Sequence, residues 1–172
     1  MMNLFSRYRN DAIDSITTFN HYKCSMTKLR SDLVAAGGRD QCTSLIRVQN
    51  NRISVMMHIR HETIVSTVVT LDEDRLAIGH SGGLLEVFSM AAQKTTKKVT
   101  LHRSDVSYLF LHPKYHRTNF PFVFSAGDDN QVLLFNSNSF QVLYDFPFSI
   151  PRVWSFTGCL HTRKSNVLII GH

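Results

Sequence analysis

Four short apolar segments recur along the chain, each closing on small residues and glycine. They are Leu33-Val34-Ala35-Ala36-Gly37-Gly38, Leu76-Ala77-Ile78-Gly79-His80, Val123-Phe124-Ser125-Ala126-Gly127 and Leu168-Ile169-Ile170-Gly171-His172. Gly37, Gly79, Gly127 and Gly171 lie 42, 48 and 44 residues apart. A fixed period of this size means that one supersecondary unit is used repeatedly, and that each unit buries its apolar surface against its neighbours. The longest interval contains Lys114 to Pro121, which reads as a loop insertion.

Each interval divides into four strand-like pieces separated by turn chemistry. In the third unit these are Val106 to Leu111, Phe122 to Ala126, Gln131 to Phe135 and Gln141 to Phe146, with turns at Gly127-Asp128-Asp129-Asn130 and Asn136-Ser137-Asn138-Ser139. The second unit offers Ile64 to Leu71, Arg75 to Gly79, Leu84 to Phe88 and Lys98 to His102. The first offers Tyr22 to Leu29, Asp32 to Ala36, Ser44 to Val48 and Arg52 to Ile59. The strands are apolar on both faces: alternation places Val106, Tyr108 and Phe110 on one side and Leu109 and Leu111 on the other. Burial on both sides fits sheets stacked between sheets, as propeller blades are. A β-sandwich is the competing arrangement, but it does not predict equally spaced units. Composition agrees, because Val, Ile and Thr make up 37 of 172 residues and Glu occurs only at 62, 73 and 86. That excludes a helical bundle and a coiled coil.

The stretch His102-Arg103-Ser104-Asp105-Val106 to His112-Pro113, followed by Ser125-Ala126-Gly127-Asp128-Asp129 to Phe135-Asn136, resembles the WD40 repeat family. There a blade opens on His before Asp-Val and later carries Trp-Asp; Phe135-Asn136 stands in the Trp-Asp place. The resemblance implies an all-β fold, a WD40-like β-propeller fragment of about three and a half four-stranded blades forming an open arc. Units are expected at 21–62, 63–103, 104–150 and 151–172, after an N-terminal segment 1–20. The last unit stops after its second strand, so the expectation is a fragment of a longer propeller. The resemblance also implies a buried structural network of His102, Ser125, Asp129 and Phe135, in which Phe lacks the donor that Trp supplies. In the second unit Gly82 takes the Asp position and Phe88 the Trp position.

No catalytic pattern emerges. There is no Gly-x-Ser-x-Gly elbow and no phosphate loop; Ser81-Gly82-Gly83 sits between strands, where no helix N-terminus follows. Asp72-Glu73-Asp74 and Asp128-Asp129 read as turns. Among nine His, His58 and His61 diverge on an extended strand, and the pairs His21 with Cys24 and Cys159 with His161 are isolated, so no metal site and no cofactor are expected. Met56-Met57 reads as filler of core gaps. Trp154, the single Trp, reads as part of the first strand of the last unit.

The expected function is therefore a non-catalytic scaffold for protein–protein interaction within a multi-subunit complex. Candidate partner-facing residues are Lys94, Lys97 and Lys98, read as a turn, and Lys114, His116 and Arg117 in the insertion. The net charge of +6 supports a second class, a subunit of an RNA-associated complex. A propeller enzyme is the third. An open arc also exposes blade faces through which copies could self-associate. Three cysteines form no disulfide framework, Met1 to Arg7 lacks a secretory pattern, and no apolar run approaches a membrane span. An intracellular protein, cytoplasmic or nuclear, is expected.

Overall fold

A computed structural model describes residues 23–112 and 121–146, together with the backbone of two later strands, Ser155–His161 and Asn166–Gly171. Lys114, His116, Arg117 and Trp154 lie outside the described residues. The first sheet comprises β1 (Lys23–Arg30), β2 (Leu33–Gly38), β3 (Cys42–Gln49) and β4 (Arg52–Arg60). The second comprises β5 (Val65–Thr70), β6 (Arg75–His80), β7 (Leu84–Ser89) and β8 (Lys94–Thr100). The third comprises β9 (Val106–Leu111), β10 (Phe122–Gly127), β11 (Val132–Asn136) and β12 (Val142–Phe146). β13 (Ser155–His161) and β14 (Asn166–Gly171) form a two-stranded sheet. Every pairing is antiparallel and follows chain order, so each sheet is a meander.

Local chemistry sets the reversals. Asn50 and Asn51 take φ of 51° and 58°, the left-handed pair that a two-residue hairpin needs between β3 and β4. Asp72 Oδ1 accepts the N–H of Asp74 and Arg75, and Asn136 Oδ1 accepts those of Asn138 and Ser139, closing two further turns.

The sheets stack through their first strands. β5 packs on β1 and β2, β9 packs on β5 and β6, and β13 touches β9. One core lies between the first two sheets, with Leu33, Leu45, Val65, Leu76 and Ile78 buried in it. A second lies between sheets two and three, around Leu85, Val106, Val123 and Phe135. Phe124, Ala126 and Val132 form a third on the far face of sheet three.

Burial is greatest in the two middle strands of each four-stranded sheet and least in the last. β4 and β12 are largely solvent-facing, and Val142, Leu143 and Tyr144 stand exposed on β12. Met56, expected in the core, lies on the outer strand β4 and is half exposed, while Met57 packs against the first core.

Two features of the repeat have a different physical cause from the one read in the sequence. Gly37, Gly79 and Gly127 lie within the last two residues of strands rather than in turns, and none is among the glycines with positive φ. A Cβ at Gly37 would overlap Val65 of the next sheet, and one at Gly79 would lie 2.8 Å from Val106 Cγ1. At Gly37 and Gly79 the repeat therefore records the crossing of a blade by its successor, whereas a Cβ at Gly127 would meet Asp129 and His102. Similarly, Val106 shares its face with Leu109 and Leu111, not with Tyr108 and Phe110, because the pairing with β10 shifts register between Val106 and Tyr108. The extra residue reverses the side-chain alternation at that point.

Candidate functional site

Polar side chains are drawn inside the stack at two junctions between successive sheets. The first lies in the segment linking β8 to β9. His102 is 1% exposed. Its Nδ1 lies 3.0 Å and 3.2 Å from the two carboxylate oxygens of Asp129, and its Nε2 lies 2.9 Å from Ser125 Oγ. A carboxylate only accepts, so Nδ1 carries a ring proton and donates it to Asp129. Asp129 also accepts the backbone N–H of Arg103 at 2.8 Å and of Gln131 at 3.1 Å. Burial pushes the Asp129 carboxyl up, but the two backbone N–H groups and His102 outweigh it and hold the group below the usual carboxylate range.

Backbone contacts hold this linker in place. The N–H groups of Leu101 and His102 donate to Gly83 O, and Gly82 N–H donates to Asp105 Oδ1. Gly83 has φ 81°, and a Cβ there would overlap the carbonyl of His102. Phe135 stands apart from the hydrogen bonds, buried in the second core and stacked on Phe140 at 5.9 Å.

Ser125, His102 and Asp129 are connected in the order of a hydrolytic relay. Ser125 has 0% exposure and sits in the middle of a sheet. No substrate carbonyl reaches a hydroxyl so placed, so the arrangement satisfies buried polar groups rather than activating a nucleophile.

The second junction lies between β4 and β5, and its members were not singled out together in the sequence. His61 Nδ1 is 3.1 Å from Glu86 Oε2, and His61 Nε2 is 3.0 Å from Thr43 Oγ1. Glu86, on β7, is 2% exposed, and its Oε1 lies 2.8 Å from Lys98 Nζ. Lys98 also reaches Glu62 at 3.4 Å. His80 ends β6 with its Nε2 3.7 Å from Glu86 Oε2 and its ring edge-on to His61 at 4.9 Å. His80 is 0% exposed, and neither ring nitrogen has a hydrogen-bond partner. Burial raises the affinity of Glu86 for a proton, but His61, His80 and Lys98 outweigh it and hold the carboxyl far below its usual range. His61, His80 and Glu86 come from three separate elements, so no spacing along the chain announces them. Comparing His58 with His61 along one strand misses partners contributed by the next sheet; His58 instead lies 3.0 Å from Ser44 on β3.

The lysine cluster is a correction. Lys94, Lys97 and Lys98 lie on strand β8, not in a turn, and the strand expected at Lys98 to His102 runs instead from Lys94 to Thr100. β8 is an outermost strand, so it carries lysines without burying them, and the reversal falls earlier, where Gln93 has φ 51°. Lys97 donates to Asn138 O at 2.7 Å and lies over the Phe140 ring at 5.1 Å, while Lys98 holds Glu86. Two of the three lysines thus serve contacts within and between sheets.

No protein-family model matches the chain. A sequence relative is the probable coatomer subunit beta' of Schizosaccharomyces pombe, 23% identical over 116 residues, which covers 67% of this chain and 13% of that protein. A solved structural neighbour is the WD40 β-propeller domain of Doa1, with a TM-score of 0.69 and 16% identity, covering 80% of this chain and 45% of that one. The chain thus spans less than half the length of either. Consecutive four-stranded meanders stacked through their first strands, together with this structural likeness, show that the chain has the fold of a WD40 β-propeller segment.

Proposed function

We propose that this chain is a non-catalytic interaction scaffold, part of a longer propeller, that contributes to a multi-subunit protein complex in the cytoplasm. The observation carrying this reading is where the chemistry-bearing groups lie. His102, Ser125, Asp129, His61 and Glu86 are consumed in the joints between blades, while the turns and last strands face solvent. A rigid stack with exposed turns and outer strands is suited to holding partner proteins. The sequence relative is itself named a subunit of an assembly, and both matched proteins are longer than this chain.

Two measurements on the endogenous protein test the reading. The first is the mass of the product carrying a tag beside Met1; a mass well above 19.7 kDa supports the longer propeller, and a stable product of 19.7 kDa removes that part. The second is gel filtration followed by cross-linking mass spectrometry. Elution within a complex, with cross-links from β8, β12 or the inter-strand turns, supports the scaffold. Elution as a monomer without cross-links overturns it. The RNA-associated reading predicts binding that weakens steeply as salt rises. It is the weaker one, because Lys97 and Lys98 are already engaged by protein groups.

A further inference from the structure

We propose that His61, His80 and Glu86 form a binding site for a zinc-class divalent transition-metal ion that clips the first blade to the second. His61 Nδ1 lies 3.1 Å, and His80 Nε2 3.7 Å, from Glu86 Oε2, and one ligand atom from each residue falls within 4.8 Å of the others. A tetrahedral ion with bonds of about 2.0–2.2 Å to N and O has donor–donor edges of about 3.3 Å, so the three atoms need only small rotations to become ligands.

Four observations converge on an ion. First, His80 is completely buried with two unpartnered nitrogens, one of them aimed at the Glu86 carboxylate. Buried imidazole nitrogens are ordinarily paired, and a metal bond at Nε2 supplies one partner. Second, His61 is held from behind, because its Nε2 lies 3.0 Å from Thr43 Oγ1. A ligating histidine is usually oriented by a hydrogen bond at its other nitrogen. Third, two imidazoles and one carboxylate select zinc and its neighbours over calcium or magnesium, which prefer all-oxygen shells. Fourth, the ligands come from different blades: His61 follows β4, whereas His80 and Glu86 belong to β6 and β7. An ion here would therefore fasten a joint.

Lys98 opposes the ion. Its ammonium lies 2.8 Å from Glu86 Oε1, while Thr95 Oγ1 lies 3.4 Å from Oε2. The lysine side chain is partly exposed and already reaches the exposed Glu62, so it has a second partner to turn towards. Metal binding displaces the proton shared by His61 and Glu86, and the two histidines and the carboxylate leave a fourth position for water.

The test uses the full 172-residue chain, purified without a polyhistidine tag and stripped with a chelator. Zinc chloride is titrated by calorimetry, metal content is measured by mass spectrometry, and cobalt(II) replaces zinc for absorption spectra. Expected are one zinc per chain, a rise in melting temperature that EDTA reverses, and the visible bands of four-coordinate cobalt. His80→Phe fills the ring volume without a donor atom and abolishes all three. Lys98→Met removes the competing ammonium and tightens zinc binding about tenfold. Absence of stoichiometric zinc, or equal binding by His80→Phe, overturns the proposal. If His80→Phe does not fold, Lys98→Met decides: unchanged or weaker zinc affinity overturns it.

Discussion

The two junctions between blades solve one problem with different residues. Both place a histidine just ahead of the next blade's first strand, His61 before β5 and His102 before β9. At the later junction His102 meets a short carboxylate from a turn and a strand hydroxyl, and both ring nitrogens are used. At the earlier one a longer carboxylate, Glu86, reaches from mid-strand and brings Lys98 with it, and His80 is left with unpaired nitrogens. A joint that satisfies every buried polar group contributes stability, whereas one with an orphan forfeits some of it. The difference teaches that the repeat conserves the place of a polar tie between blades while its chemistry varies.

The largest expected effect is at the satisfied joint. Asp129→Ala removes the acceptor of His102, Arg103 N–H and Gln131 N–H, and should cost about 2–3 kcal/mol in urea unfolding. Equal midpoints for variant and parent would break the comparison. Its pH dependence has a defined sign. The folded carboxyl is held below its unfolded value, so its stabilisation is present above the usual carboxylate range and is lost as pH falls through that range towards the folded value. The stability gap between parent and Asp129→Asn should therefore narrow on acidification from neutral pH; a constant gap would place the effect in shape rather than charge.

Next is the crossing between blades. Gly79→Ala sets a Cβ against Thr67 Cγ2 at 2.6 Å and Val106, and should cost about 1–3 kcal/mol by thermal unfolding. Gly82→Ala has no neighbour to meet, but its φ of 75° is unfavourable for a side chain, so a loss of about 1 kcal/mol is expected. The comparison is sharpest between histidines. His102→Phe removes the ring partner of Asp129 and Ser125 and should cost about 2 kcal/mol, whereas metal-free His80→Phe breaks no hydrogen bond, only the 3.7 Å approach to Glu86, and should change stability by less than about 1 kcal/mol. Equal losses would show that His80 is paired after all. Lys97→Ala should have the smallest effect, about 0.5 kcal/mol, because its bond to Asn138 is exposed.

Much of the later blade was legible from residue order. Val106 to Leu111 and Phe122 to Phe146 announced four strands, and the turns after β10 and β11 carry Asp or Asn at the reversal. His102, Ser125 and Asp129 were legible only through resemblance, since 23 and 27 residues separate His102 from its partners. β8 was misplaced because an outer strand needs no apolar alternation, and its lysines resemble a turn.

The sequence alone determined the period, the turns rich in Gly, Asp and Asn, and the two-faced apolar strands, because these follow from local backbone chemistry and from which residues must leave water. Tertiary structure decided why Gly37 and Gly79 are glycine, which face Val106 serves, and that His61, His80 and Glu86 meet. Each of those depends on atoms supplied by a neighbouring sheet or strand, and spacing along one strand carries no record of what is stacked against it.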